Sequence, residues 1–129
     1  MTQLDPIIAV KNVEESSRWY QNIFGWKRKH GGSDFAVLVS ENDEILLCLH
    51  AWEKHGHPTM QDPSIRAGNG LILYFRTSDL ESIRENVEKA GAIVEEEIHI
   101  NPNSTKKEFS IRDPDGYYLT IADFHKYDG

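Results

Sequence analysis

One arrangement of local signals occurs twice along the chain. Asn12-Val13-Glu14-Glu15 reads as a helix start, with Asn12 able to cap and Glu15 three residues on, as in a capping box. Val13, Tyr20, Ile23 and Phe24 then fall on one helical face, and Gly25 follows where a left-handed residue commonly ends a helix. Ser78-Asp79-Leu80-Glu81 repeats the start, Leu80, Ile83, Val87 and Ala90 repeat the stripe, and Gly91 repeats the stop. The offset from Val13 to Leu80 is nearly that from Gly25 to Gly91, as duplication of one unit would leave it.

Strand candidates surround each helix in the same order. Ile7-Ile8-Ala9-Val10 precedes the first, and Leu71-Ile72-Leu73-Tyr74-Phe75 precedes the second. After the first come 26–30, 34–39 and 44–50, with Gly31-Gly32 and Asn42-Asp43 as turns. After the second come 92–99, 106–112 and 117–122. Asp113-Pro114-Asp115-Gly116 is a strong turn signal, because proline presets φ and glycine accepts a positive φ. Each half reads β-α-β-β-β, so the expected fold is α+β, two tandem βαβββ modules in one domain. Module one spans about residues 4–52 and module two about 69–126. The stretch between them lacks periodicity, carries Gly56, Pro58, Pro63 and Gly68, and reads as a linker.

Bulk properties narrow the function. A formal net charge of −7, with no stripe of Lys or Arg to offset it, argues against nucleic acid and anionic lipid as partners. No apolar run approaches the ~20 residues of a membrane helix. The N-terminal residues show no basic region followed by an apolar stretch, so no secretory signal is expected. A single cysteine, Cys48, rules out an internal disulfide and fits a reducing compartment; the expected location is cytoplasmic.

The duplicated order, with Arg112-Asp113-Pro114-Asp115-Gly116 opening the last hairpin, resembles the vicinal oxygen chelate superfamily, the group of glyoxalases, bleomycin-resistance proteins and extradiol dioxygenases. Residues 10–16 with Trp19-Tyr20 and Phe24-Gly25 are similar to its first-module signature. Residues 70–75 with Asp79-Leu80 are similar to its second. The resemblance implies strands curved into an open half-barrel cleft, a homodimer, and, in metal-dependent members, ligands on the first and last strands of each module. Carried over, those positions are Asp5, Leu47 or Cys48, Ile72 and Thr120, and strand parity favours Cys48 over Leu47. Ile72 has no donor atom, Thr120 is a weak neutral donor, and Cys48 suits soft metals, so no family-type metal site and no cofactor are expected.

The same parity turns Asp5, Ile7, Ala9, Leu46, Cys48 and His50 toward the cleft in module one. In module two it turns Ile72, Tyr74, Arg76, Glu108, Ser110, Tyr118 and Thr120 that way. Tyr74 and Tyr118 either line a pocket or fill the half-barrel. Trp52 either stacks on a ligand or packs against a second subunit. Arg76 either meets a ligand carboxylate or phosphate or pairs with Asp5 or Glu108. Trp19 and Tyr20 are expected in the core. Cys48, His50, His55 and His57 lie close in sequence and are types zinc accepts, yet His55 and His57 sit among Gly and Pro in a surface loop where histidines are mostly solvated. No nucleophile–base pair and no phosphate loop is evident. The expected function is metal-independent binding of a small organic molecule, such as an antibiotic or toxic compound. The alternative is a metal-dependent lyase, isomerase or dioxygenase of the glyoxalase type.

Overall fold

The computed structural model describes residues 1–125, which divide into two compact units, 1–67 and 68 onward. The first unit runs β1 (Ile7–Val10), α1 (Val13–Phe24), β2 (Lys27–Gly31), β3 (Phe35–Val39) and β4 (Ile45–Ala51), with a 3-10 turn at Pro58–Met60 inside the expected linker. The second runs β5 (Leu73–Thr77), α2 (Leu80–Ala90), β6 (Ile93–Ile100), β7 (Lys107–Arg112) and β8 (Tyr118–Asp123). The βαβββ order therefore occurs twice. Each unit has one open four-stranded sheet, ordered β1-β4-β3-β2 in the first and β5-β8-β7-β6 in the second. The leading strand pairs in parallel with the last, and the other pairs are antiparallel.

The helices begin and end where the sequence places them, for local reasons. Asn12 Oδ1 accepts the Glu15 N–H at 2.9 Å, closing one orphan donor of α1. Gly25 and Gly91 both take left-handed φ, 76° and 64°, where a Cβ would be strained. The second start differs from expectation. Asp79 makes no side-chain cap; its own N–H is held by Thr77 Oγ1 at 3.0 Å. Ala90 is exposed rather than part of the buried stripe. β5 begins at Leu73, so Leu71 is not a core strand residue and is 40% exposed.

The apolar stripes meet one sheet face in each unit. In the first, Val13, Tyr20 and Ile23 of α1 are buried, as are Ile8, Val10, Leu38, Leu47 and Leu49 of the sheet. Tyr20 and Phe24 stack with Trp26 at ring separations of 5.8 and 4.2 Å, whereas Trp19, expected in the core, is half-buried. In the second, Leu80, Ile83 and Val87 are buried, as are Phe109, Ile111, Leu119 and Ile121. Full burial of each such side chain stabilises by about 1.5–3 kcal/mol. No helix among the described residues is long and apolar enough to cross a membrane.

Candidate functional site

The polar and aromatic candidates on the strands fall on the sheet face opposite the helix in each unit, because side chains alternate along a strand. In the second unit the strand register sets the inner face out in two rows. Tyr74 aligns with Thr120, Thr120 with Ser110, and Ser110 with Glu96. Arg76 aligns with Ala122, Ala122 with Glu108, and Glu108 with His99.

Glu108 is the centre of this face. Only 9% of the residue is exposed. Its Oε1 accepts Asn101 Nδ2 at 2.9 Å and the Tyr74 hydroxyl at 3.4 Å, and His99 Nε2 stands 3.7 Å from Oε2. A buried carboxylate is tolerated when donors converge on it, and it retains acceptor capacity beyond these contacts. Asn101 uses both ends of its amide. Oδ1 accepts Asn103 N–H at 2.8 Å and Ser104 N–H at 3.3 Å, which fixes the turn after β6, while Nδ2 reaches Glu108. His99 also meets Glu96 at 3.0 Å.

The other expected residues of this unit are placed as follows. Thr120 Oγ1 lies 2.9 Å from Ser110 Oγ, with both residues buried. Arg76 donates to the His125 carbonyl at 2.6 Å and lies over the Phe124 ring. Tyr118 is half-buried, with the Arg112 guanidinium 4.9 Å above its ring. Ile72 precedes β5 and is 60% exposed.

In the first unit Cys48 and His50 are buried in β4, and Asp5 is exposed just before β1. Burial, and then the negative charge of Asp5, hold the Cys48 thiol above its ordinary value, so it stays protonated at neutral pH. Trp52 lines a groove of about 530 Å³ with Lys11, Asn12, Asp34, Lys54 and Pro63. His50 stands edge-on to Phe35, His55 and His57.

The donor set does not fit the metal that the resemblance implies. Ile72 offers no ligand atom, the Thr120 hydroxyl is hydrogen-bonded to Ser110, and the Cys48 thiol holds its proton, so the exposed Asp5 is the lone carboxylate of the four, short of the three ligands a catalytic ion takes. Among the described residues, no group of three or more His, Cys, Asp or Glu side chains stands ready to hold a metal ion. Neither His99 nor Asn101 stands out in the sequence. His99 becomes visible only when the register opposes it to Glu108. The Asn101-Pro102-Asn103 turn was the available signal for Asn101.

A sequence model of the Glyoxalase/Bleomycin resistance protein/Dioxygenase superfamily matches residues 3–121. The chain belongs to that superfamily. Solved structures agree on the fold. A protein from the mobile metagenome of V. pseudocholerae aligns with TM-score 0.72 and 24% identity, over 98% of this chain and 97% of that one. A glyoxylase/bleomycin resistance protein/dioxygenase domain from Frankia sp. EAN1pec aligns with TM-score 0.72 and 23% identity, over 97% and 99%. A bleomycin resistance determinant encoded on the transposon Tn5 aligns with TM-score 0.69 and 16% identity, over 98% and 100%. At these identities the likeness is one of fold. A search of curated proteins finds no match.

Proposed function

We propose that this protein captures a small organic molecule on its inner sheet faces without the superfamily's metal, as a cytoplasmic homodimer. The observation that carries the reading is the pairing of an unsuited donor set with a buried acceptor. Of the four positions implied as metal ligands, Ile72 is a hydrocarbon, Thr120 a committed hydroxyl and Cys48 a protonated thiol, which leaves Asp5 as the lone carboxylate, while Glu108 sits beside Tyr74 on the same face as Thr120. A ligand with an aromatic body and an amine, guanidine or hydroxyl donor suits that combination. The aromatic part would lie on Tyr74 and Tyr118, and the donor would meet the Glu108 carboxylate. Ile72, Arg76 and Thr120 complete the proposed set on this unit, and Asp5, Cys48, His50 and Trp52 are the residues proposed on the first unit's own face. A second copy as a partner is proposed from the superfamily resemblance alone.

The test is calorimetric titration of the untagged protein in chelator with a panel of aromatic amines and antibiotics. Bleomycin comes first, because one structural neighbour is a determinant of resistance to it. The reading expects saturable binding that Glu108→Gln weakens by about 10- to 100-fold, the loss that goes with one charge-assisted hydrogen bond. Binding that needs an added divalent cation, or that ignores the substitution, overturns it.

A further inference from the structure

The first unit carries a groove of about 530 Å³ just past the ends of β1 and β4, a volume in the range of small-molecule sites. Strand pairing builds it. β1 and β4 run parallel and end together at the Val10–Ala51 pair, so Lys11-Asn12 and Trp52 leave the sheet side by side. The Ala51 N–H donates to the Asp34 carbonyl at 2.9 Å, which brings the loop before β3 to the same end. Glu53 then takes a left-handed φ of 64°, and its N–H donates to the Met60 carbonyl at 2.7 Å. That tie fixes the turn between Trp52 and Lys54, and both residues line the groove.

The lining combines a large aromatic side chain with charges of both signs. Trp52 is half-buried. Asp34 is half-buried too, and among the described residues its carboxylate has no hydrogen bond or ion pair. The ammonium of the exposed Lys54 likewise has none. Glu14 also lines the groove, but its carboxylate is spent on Arg28 Nη1 at 2.7 Å, and the Asn12 side chain is spent as the cap of α1. Asp34 and Lys54 therefore face one groove without pairing with each other, and each is open to a ligand. A half-buried carboxylate without a donor is costly, and a ligand donor relieves that cost.

We propose that this groove binds the zwitterion of an aromatic amino acid. The ring lies on Trp52, the carboxylate meets Lys54, and the ammonium meets Asp34. Val13, in the first turn of α1, lines the same groove, where a helix favours negative charge. A purely anionic ligand sets like charge against Asp34, and a purely cationic one sets it against Lys54; the zwitterion avoids both. The site gives Trp52, named above among the capture residues, its own ligand class, and it does not depend on Glu108.

The experiment is calorimetric titration of the untagged full chain with L-phenylalanine, and with hydrocinnamate and phenethylamine, which keep the ring and one charge each. One L-phenylalanine per chain is expected, with both analogues about 10- to 100-fold weaker, the loss that goes with one charge-assisted hydrogen bond. Lys54→Gln should weaken L-phenylalanine and hydrocinnamate by that factor and leave phenethylamine unchanged. Asp34→Asn should weaken L-phenylalanine and phenethylamine and leave hydrocinnamate unchanged. Trp52→Leu should weaken all three by about tenfold. Neither the Asp34 nor the Lys54 side chain has a protein partner to lose, so circular dichroism and melting of those two variants should stay near the parent values. Glu108→Gln should leave all three titrations unchanged, which separates this site from capture on the second unit. Absence of saturable L-phenylalanine binding overturns the proposal. So do analogues that bind as tightly as L-phenylalanine, a charge variant that affects all three ligands alike, or a loss of binding in Glu108→Gln.

Discussion

Ser110 Oγ and Thr120 Oγ1 stand 2.9 Å apart on adjacent strands, each the other's partner in a buried setting. A ligand placed at Thr120 competes with this contact. Thr120→Val should cost about 1–3 kcal/mol of stability, because it leaves the Ser110 hydroxyl buried without its partner. The double variant Ser110→Ala/Thr120→Val should recover part of that loss. A denaturant double-mutant cycle measures the difference, and additive costs would show the contact to be idle.

Asn101 ties the turn after β6 to the Glu108 carboxylate. Asn101→Ala removes the turn's side-chain acceptor and the shorter donor to Glu108 together. Destabilisation of about 1–3 kcal/mol is expected by urea unfolding. Asn101→Asp should be worse than alanine at neutral pH and should improve on acidification, since it sets a second carboxylate against Glu108.

The Cys48 thiol should react with alkylating reagents at least about tenfold more slowly in the folded protein than in urea at neutral pH, because only the thiolate attacks and burial disfavours it. Asp5→Asn should lower its titration toward the ordinary value of 9.0, as the second cause of the shift is removed. The sign for stability follows. The folded state keeps this proton to higher pH than the unfolded state, so the contribution is complete below 9.0 and is lost as pH rises through the higher folded value. Cys48→Ser should flatten that alkaline slope in melts taken across the same range.

Ser17 is buried on α1, and its Oγ has no hydrogen-bond partner. Ser17→Ala removes an unsatisfied hydroxyl and inserts a better helix former. The melting temperature should rise, with a gain of about 1 kcal/mol. A fall would mean that the hydroxyl is satisfied in solution.

The parts of the fold written in local chemistry were legible. Asn12 caps as its spacing implies, Gly25 and Gly91 stop their helices, and Asp113-Pro114-Asp115-Gly116 folds with Asp113 Oδ1 accepting the Asp115 and Tyr117 N–H groups. Parity placed Leu119 and Ile121 opposite Thr120 because alternation survives without knowledge of the partner strand. Features that depend on pairing were hidden. β6 shifts register between Glu96 and His99, so no count along the sequence sets His99 against Glu108. Likewise His55 reaches His50 through left-handed loop residues, a backbone state that glutamate and histidine rarely announce.

Each sheet holds its first strand only through its last. β1 bonds to β4 alone, and β5 to β8 alone. On the ribosome, β1 must therefore wait, unpaired in its sheet, until β4 has been translated, and β5 must wait for β8. A nascent chain that has emerged from the tunnel beyond Thr77 but not as far as Tyr118 can hold a finished first sheet while β5 still lacks the strand that seats it. Protease resistance gained during synthesis should accordingly come in two steps, one as each closing strand clears the exit tunnel.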